Sequence, residues 1–146
     1  MVMRVAISGS REGLTPHQRA FIRGRILALP PKSRIITGGC RGVDAYAARV
    51  AFEAGHYTVL TVLPSNHRAV DPDWRDHCHG YIQLPGGTTY RDRNIAMLQR
   101  ADHLLAFPLY PRDHHRSKRS GTWMTIGLAL ADDLAVEVHV LDTLDR

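Results

Sequence analysis

Cysteine is scarce in this chain: Cys40 and Cys78 stand alone in different segments and form no C-x-x-C pair. That excludes a disulfide framework and a zinc knuckle. Lysine is equally rare, with Lys32 and Lys118 the only two, so nearly all the positive charge is carried by arginine. No apolar run approaches the roughly 18 residues of a membrane span, and Met1 to Ser8 is too short and too strand-like for a secretory signal. The expected location is therefore the reducing cytoplasm, with no membrane partner. Internal repeats, linkers and low-complexity tracts are missing, as are a clear aromatic platform for bases and an added helix-turn-helix module.

What remains is an ordinary globular composition, 146 residues with 44% hydrophobic side chains. A chain of this length is expected to form one domain, residues 1–146, burying roughly two-thirds of its unfolded surface. The net charge of +5, with nine histidines in reserve, favours anionic ligands over cationic ones. The arginine excess suits planar, bidentate contacts to phosphate, although a GC-rich coding bias accounts for the same skew.

Along the chain, β-rich apolar runs alternate with helical segments. Val2 to Ser8 reads as a strand, and Thr15-Pro16 as an N-cap with proline at the first helical position, opening a helix to about Leu29. Arg34 to Thr37 is a second strand, and Val43 to Ala54 a helix closed by Gly55. Tyr57 to Leu63 is β-branched without polar alternation, the pattern of a strand buried on both faces in a parallel sheet. After the polar stretch Pro64 to Gly80 come a strand Tyr81 to Leu84, a helix from Thr89 to Arg100 and a strand His103 to Phe107. The basic loop Pro108 to Ser120, an apolar helix Gly121 to Ala131 and a last strand Ala135 to Leu141 complete the reading. The expected fold class is α/β, a three-layer α/β/α Rossmann-like sandwich with a mostly parallel sheet of about six strands. Ligands in such folds gather at the carboxyl ends of the strands, so the residues just after each strand carry the information.

Three small-residue turns stand there. The first is Ser8-Gly9-Ser10-Arg11, the second Thr37-Gly38-Gly39-Cys40-Arg41-Gly42-Val43-Asp44, and the third Ser120-Gly121-Thr122. Glycines let main-chain N–H groups approach an anion, and a helix start adds unpaired donors and a positive dipole end. Arg41 is either a fixed cation for phosphate or a solvated turn residue. Asp44 either binds a ribose hydroxyl or stabilises the helix N-terminus.

In these motifs the chain resembles the SLOG superfamily, the Rossmann-like group that contains DNA-processing protein A, the LOG-type phosphoribohydrolases and the YspA-like proteins. The likeness runs from Arg4 to Val140. It rests on Gly9-Ser10-Arg11, on Gly38 to Asp44, on the pair Arg93-Asn94 opening a later helix, and on Ser120-Gly121-Thr122. The resemblance implies a nucleotide or nucleotide-derived ligand, with phosphate held by the second and last turns and base or ribose nearer the first. It assigns Ser8, Gly9, Ser10, Arg11, Gly38, Gly39, Arg41, Gly42, Asp44, Arg93, Asn94, Ser120, Gly121 and Thr122 to the site, and makes Arg93 the candidate catalytic arginine. No cofactor is implied.

Catalysis is where the chain departs from the pattern. LOG-type enzymes carry a glutamate shortly after the last turn, and its place here is Thr125, which can neither stabilise an oxocarbenium-like centre nor act as a base near neutral pH. Asp71, Asp73 and Asp76 in the irregular loop are the replacement candidates, with Glu53 and Glu137 poorly placed. Read as a lid, Pro64 to Gly80 would set Asn66, His67, Asp73 and Trp74 over the ligand, while Trp123 is expected in the core. The His77-Cys78-His79 run lacks a second ligand pair, so no metal is expected. Three functions stay open: a nucleotide-binding sensor, sponge or accessory module; a nucleotide N-glycosidase; and single-stranded nucleic-acid binding through Arg112, Arg116, Lys118 and Arg119. A homodimer through the apolar face of Gly121 to Ala131 is a further expectation.

Overall fold

A computed structural model describes residues 2–145. Six strands form one sheet: β1 (Arg4–Gly9), β2 (Arg34–Thr37), β3 (Thr58–Leu63), β4 (Gly80–Gln83), β5 (His103–Phe107) and β6 (Ala135–Val138). Their order is β4-β3-β2-β1-β5-β6, and every pair is parallel. The chain moves outward from β1 to β4, then returns to place β5 on the other side of β1. The switch point therefore lies between β1 and β5.

Strand periodicity builds the two outer layers. Val5, Ile7, Ile35, Val59, Leu105 and Phe107 point to one face, where they meet α1 (Pro16–Leu27) and α2 (Val43–Ala54). Their neighbours Ala6, Ile36, Val62, Leu104 and Ala106 point to the other, against α3 (Tyr90–Leu98) and α4 (Gly121–Ala131). Successive residues on opposite faces are the two-residue period of a strand, and covering both faces makes the three layers.

Local signals fix the helix ends. Thr15 caps α1 in a capping box with Gln18, and Thr89 caps α3 in one with Asp92. Ser120 accepts from the Trp123 amide to cap α4, and Gly55 ends α2 in the left-handed conformation at φ 82°. Proline and a capping residue give the chain its starts, glycine its stop.

Where the elements differ from expectation, a tertiary partner decides. α1 ends at Leu27 rather than Leu29, and the hydroxyl of Tyr57 donates to the carbonyls of Ile26 and Leu29 at 3.0 and 2.7 Å. Tyr57 thus serves that helix end and β3 begins at Thr58. β6 stops at Val138 rather than Leu141, because the following chain pairs with the start of the 108–120 loop: Leu141 N–H donates to Pro108 and Asp142 N–H to Leu109. The residues Leu141–Asp145 then make a 3-10 turn with Leu141 fully buried. Gln18 Nε2 holds this turn by donating to the Leu141 carbonyl and the Asp145 carboxylate.

Candidate functional site

At the carboxyl end of β1 and β5 lies a cleft of about 440 Å³. Its wall combines Ser8, Gly9, Ser10, Arg11 and Glu12 after β1, Cys40 and Asp44 from the second turn, and Tyr90, Arg93 and Asn94 from α3. The 108–120 loop and the start of α4 close it with Tyr110, Arg116, Arg119, Ser120, Gly121 and Thr122. Ten of the fourteen residues assigned from sequence meet on this wall. Gly38, Gly39, Arg41 and Gly42 do not.

The glycines of the second turn make room for protein instead. A Cβ on Gly38 would fall 2.3 Å from Arg93 Nη1, and one on Gly42, at φ +80°, would fall 2.2 Å from the Ser10 carbonyl. Arg93 Nη1 donates to the Gly38 carbonyl at 2.6 Å and the Val43 amide to the Ser10 carbonyl at 2.9 Å. Gly9 leaves space for Val43 in the same way, 2.5 Å from a would-be Cβ. One backbone bond, the Arg93 side chain and the Gly9–Val43 contact thus lock the three segments together. Gly121 is the contrast, since a Cβ there would meet nothing within 4 Å, so the first turn of α4 faces open space with donors that a helix start leaves without intrahelical partners.

Arg41 points the other way. Its amide donates to Ala69 at 3.0 Å, its guanidinium to the Arg68 carbonyl at 2.9 Å, and Cys40 bridges Val70 in antiparallel fashion. Asp71 N–H returns to the Gly39 carbonyl at 2.8 Å. These bonds zip the 64–79 stretch onto the far side of the second turn, which overturns the lid expectation. Trp74 packs edge-on against Tyr81, Arg75 lies over both rings, and His67 pairs with Gln83. None of Asn66, His67, Asp73 or Trp74 lines the cleft, though the Asn66 carbonyl accepts from the Tyr90 hydroxyl and steadies its rim. The basic loop is the segment that closes the cleft.

Arg93 is only 5% exposed. Besides Gly38 it donates to Asn94 Oδ1 at 2.9 Å and lies 3.6 Å from Cys40 Sγ. It acts first as the strut joining α3 to the second turn, with part of its surface in the cleft. Asp44, also buried, accepts from the Cys40 amide at 3.3 Å. Burial lifts its carboxyl above the usual carboxylate range, opposed by Arg93, the Cys40 amide, Arg11 and the Gly38 amide. Burial, then the Asp44 charge, raises the Cys40 thiol.

Thr125, in the place of the LOG-type glutamate, is fully buried and donates to the Gly121 carbonyl inside its own helix at 2.8 Å. Among the described residues the carboxylates on the cleft wall are Glu12 and Asp44. Asp71, Asp73 and Asp76 stay with the 64–79 stretch, Glu53 pairs with Arg49, and Glu137 with Arg25 and His139. His79 Nδ1 accepts from the Val59 amide, His77 packs edge-on against Phe52, and no group of three metal-ligating side chains gathers among the described residues. Among those residues, too, no helix is long and apolar enough to cross a membrane.

Tyr90, Tyr110 and Glu12 are among the wall residues that the sequence reading, which finds no aromatic platform, does not single out. Arg11 lies over the Tyr90 ring at 4.4 Å and Arg116 over Tyr110 at 4.9 Å. The available signal was position: Tyr90 directly follows the helix-capping Thr89 at the carboxyl edge of the sheet. Trp123 packs against the α3–α4 side of the core as expected, and its Nε1 also donates to the Tyr110 carbonyl at 2.9 Å, anchoring the loop.

No family model and no curated protein matches the chain. Solved structures do. A molybdenum cofactor binding protein from the phototrophic bacterium Rippkaea orientalis is similar at 24% identity and TM-score 0.67, over 94% of this chain and 76% of that one. DNA processing protein A from Streptococcus pneumoniae is similar at 19% identity and TM-score 0.74, over 99% of this chain but 54% of its own length. A Helicobacter pylori DNA processing protein A, described for its single-stranded DNA binding mode, is similar at 18% identity and TM-score 0.66, over 93% and 64%. The all-parallel sheet, the four covering helices and these likenesses agree that this chain has an α/β Rossmann-like fold of the kind those structures share.

Proposed function

We propose that the cleft binds a nucleotide or nucleotide-derived small molecule, and that the chain works as one cytoplasmic domain serving as a sensor, sponge or accessory module. The observation that carries this reading is that the open turn Ser120-Gly121-Thr122 and Arg11, Arg116 and Arg119 line one cleft of about 440 Å³, a size suited to one small ligand. Arginine forks and a helix N-terminus hold phosphate, and the Tyr90 and Tyr110 rings offer surfaces for a planar group. Arg93 supports the site from beneath. Binding without turnover is favoured by the burial of Thr125 and by the engagement of Glu12 with Arg116 at 2.7 Å. Asp44 is the remaining candidate if a glycosidic bond is cleaved.

Single-stranded nucleic acid is the second reading, supported by Arg116 and Arg119 on the wall and by the two tyrosines. The uncharged helix α4, with Leu130 exposed, would pair two copies; chromatographic mass tests that. Thermal-shift screening against mono-, di- and cyclic nucleotides and short oligonucleotides, followed by chromatography of any binder, separates the three functions. Stabilisation by a ligand recovered intact supports a binding module; released base or ribose phosphate would make the protein an enzyme. Affinity that falls steeply with salt and rises with oligonucleotide length would favour nucleic acid.

A further inference from the structure

The cleft carries its own competing anion. Arg116 Nη2 and Glu12 Oε1 lie 2.7 Å apart, joining the loop after β1 to the basic loop 104 residues later. Both residues line the cleft, and both side chains are about half exposed. Apart from that pair and the bonds that Leu141, Asp142 and Trp123 make to its first residues, the basic loop is folded on itself. His114 Nδ1 accepts from the Arg116 amide, Ser117 Oγ donates to the Pro111 carbonyl, Arg116 Nη1 donates to the Tyr110 hydroxyl, and Tyr110 stacks on His114 at 4.2 Å. Glu12 is set by its amide, which donates to Ser10 Oγ at 3.1 Å in the turn that lines the cleft.

Arg116 therefore stands preformed, with one edge on Tyr110 and the other on a carboxylate. A phosphate entering between the α4 start and Arg11 would meet a guanidinium already partnered and a negative charge beside it. We infer that Glu12 is a specificity-determining gate: it occupies Arg116 until the anionic group of the ligand displaces it, so that only a strongly anionic group gains that arginine. This deepens the ligand reading above and rests on it. Exposed ion pairs hold weakly, which makes the exchange feasible, and a phosphate offers the fork more acceptors than a carboxylate does. On exchange Arg116 moves from the β1 side to the ligand, and the basic loop loses its tie to the loop after β1.

The test measures pyrophosphate binding calorimetrically at low ionic strength in the wild type, Glu12→Gln, Arg116→Gln and the double variant, with amide exchange of residues 109–119 followed without ligand. Glu12→Gln is expected to bind about two- to fivefold more tightly, the size set by a released surface ion pair, and to exchange faster in 109–119. Arg116→Gln should bind more weakly, and Glu12→Gln should bring no gain in its background. Affinity in Glu12→Gln equal to or below wild type, or unchanged exchange, would overturn the gate while leaving the cleft as the ligand site. No pyrophosphate binding by either the wild type or Glu12→Gln would overturn the ligand reading and the gate together.

Discussion

The second turn and the last turn look alike in sequence, small residues between a strand and a helix, yet they do opposite things. In the second, Gly38 and Gly42 are filled by Arg93 and by the Ser10 carbonyl, and Gly39 at φ +72° faces Thr61 and Leu63. In the last, Gly121 faces open space at the cleft. A glycine-rich strand-to-helix turn thus signals close approach of something to the backbone, and that something is as readily another part of the chain as a phosphate.

Substitutions break the comparison directly. Gly42→Ala has the largest expected effect, a loss of about 3 kcal/mol or more in denaturant unfolding, because the new Cβ collides with backbone in a left-handed conformation. Arg119→Ala should weaken binding of a nucleotide found by the screen by about tenfold, the worth of one charge-assisted contact. Arg41→Ala should leave that affinity unchanged, since its bonds go to the 64–79 stretch; equal losses in the two variants would mean that the second turn also touches the ligand. Gly121→Ala should alter stability by less than about 1 kcal/mol, and upward if at all, while reducing ligand affinity.

Asp44 sharpens the comparison through pH. Its folded carboxyl is raised above the unfolded one, so its ionisation costs stability. That cost is absent below the unfolded value of about 3.9, grows as pH rises towards the folded value and is constant above it. Unfolding midpoints of Asp44→Asn and wild type, followed from pH 4 to 8, should diverge in the variant's favour with rising pH and then run parallel. A difference that does not change with pH would show that the carboxyl is not perturbed.

Much of the fold was legible because its signals are local. Thr15-Pro16, Gly55 and the β-branched run at Thr58–Leu63 each announce a start, a stop or a buried strand without reference to distant residues. The position of the cleft was legible too, since a parallel sheet opens such a crevice after its strands. The choice between the two polar loops was not. Nothing in the 64–79 stretch marks Val70 as the bridge partner of Cys40, or Ala69 and Asp71 as partners of Arg41 and Gly39; such pairing is backbone chemistry between segments far apart in the chain, and any residue type can make it. Arg93 lines the cleft where the sequence expects it, but its seat at Gly38 depends on a contact 55 residues away.

The hydrogen bond from Trp123 Nε1 to the Tyr110 carbonyl turns the protein into its own optical reporter. Trp123 and Trp74 are the two tryptophans of the chain; one is attached to the loop that closes the cleft, the other rests against Tyr81 beside the sheet's β4 edge. In Trp74→Phe the remaining indole emits from the root of that loop, so its emission wavelength and quenching would report a rearrangement of the loop on ligand binding, with no label attached.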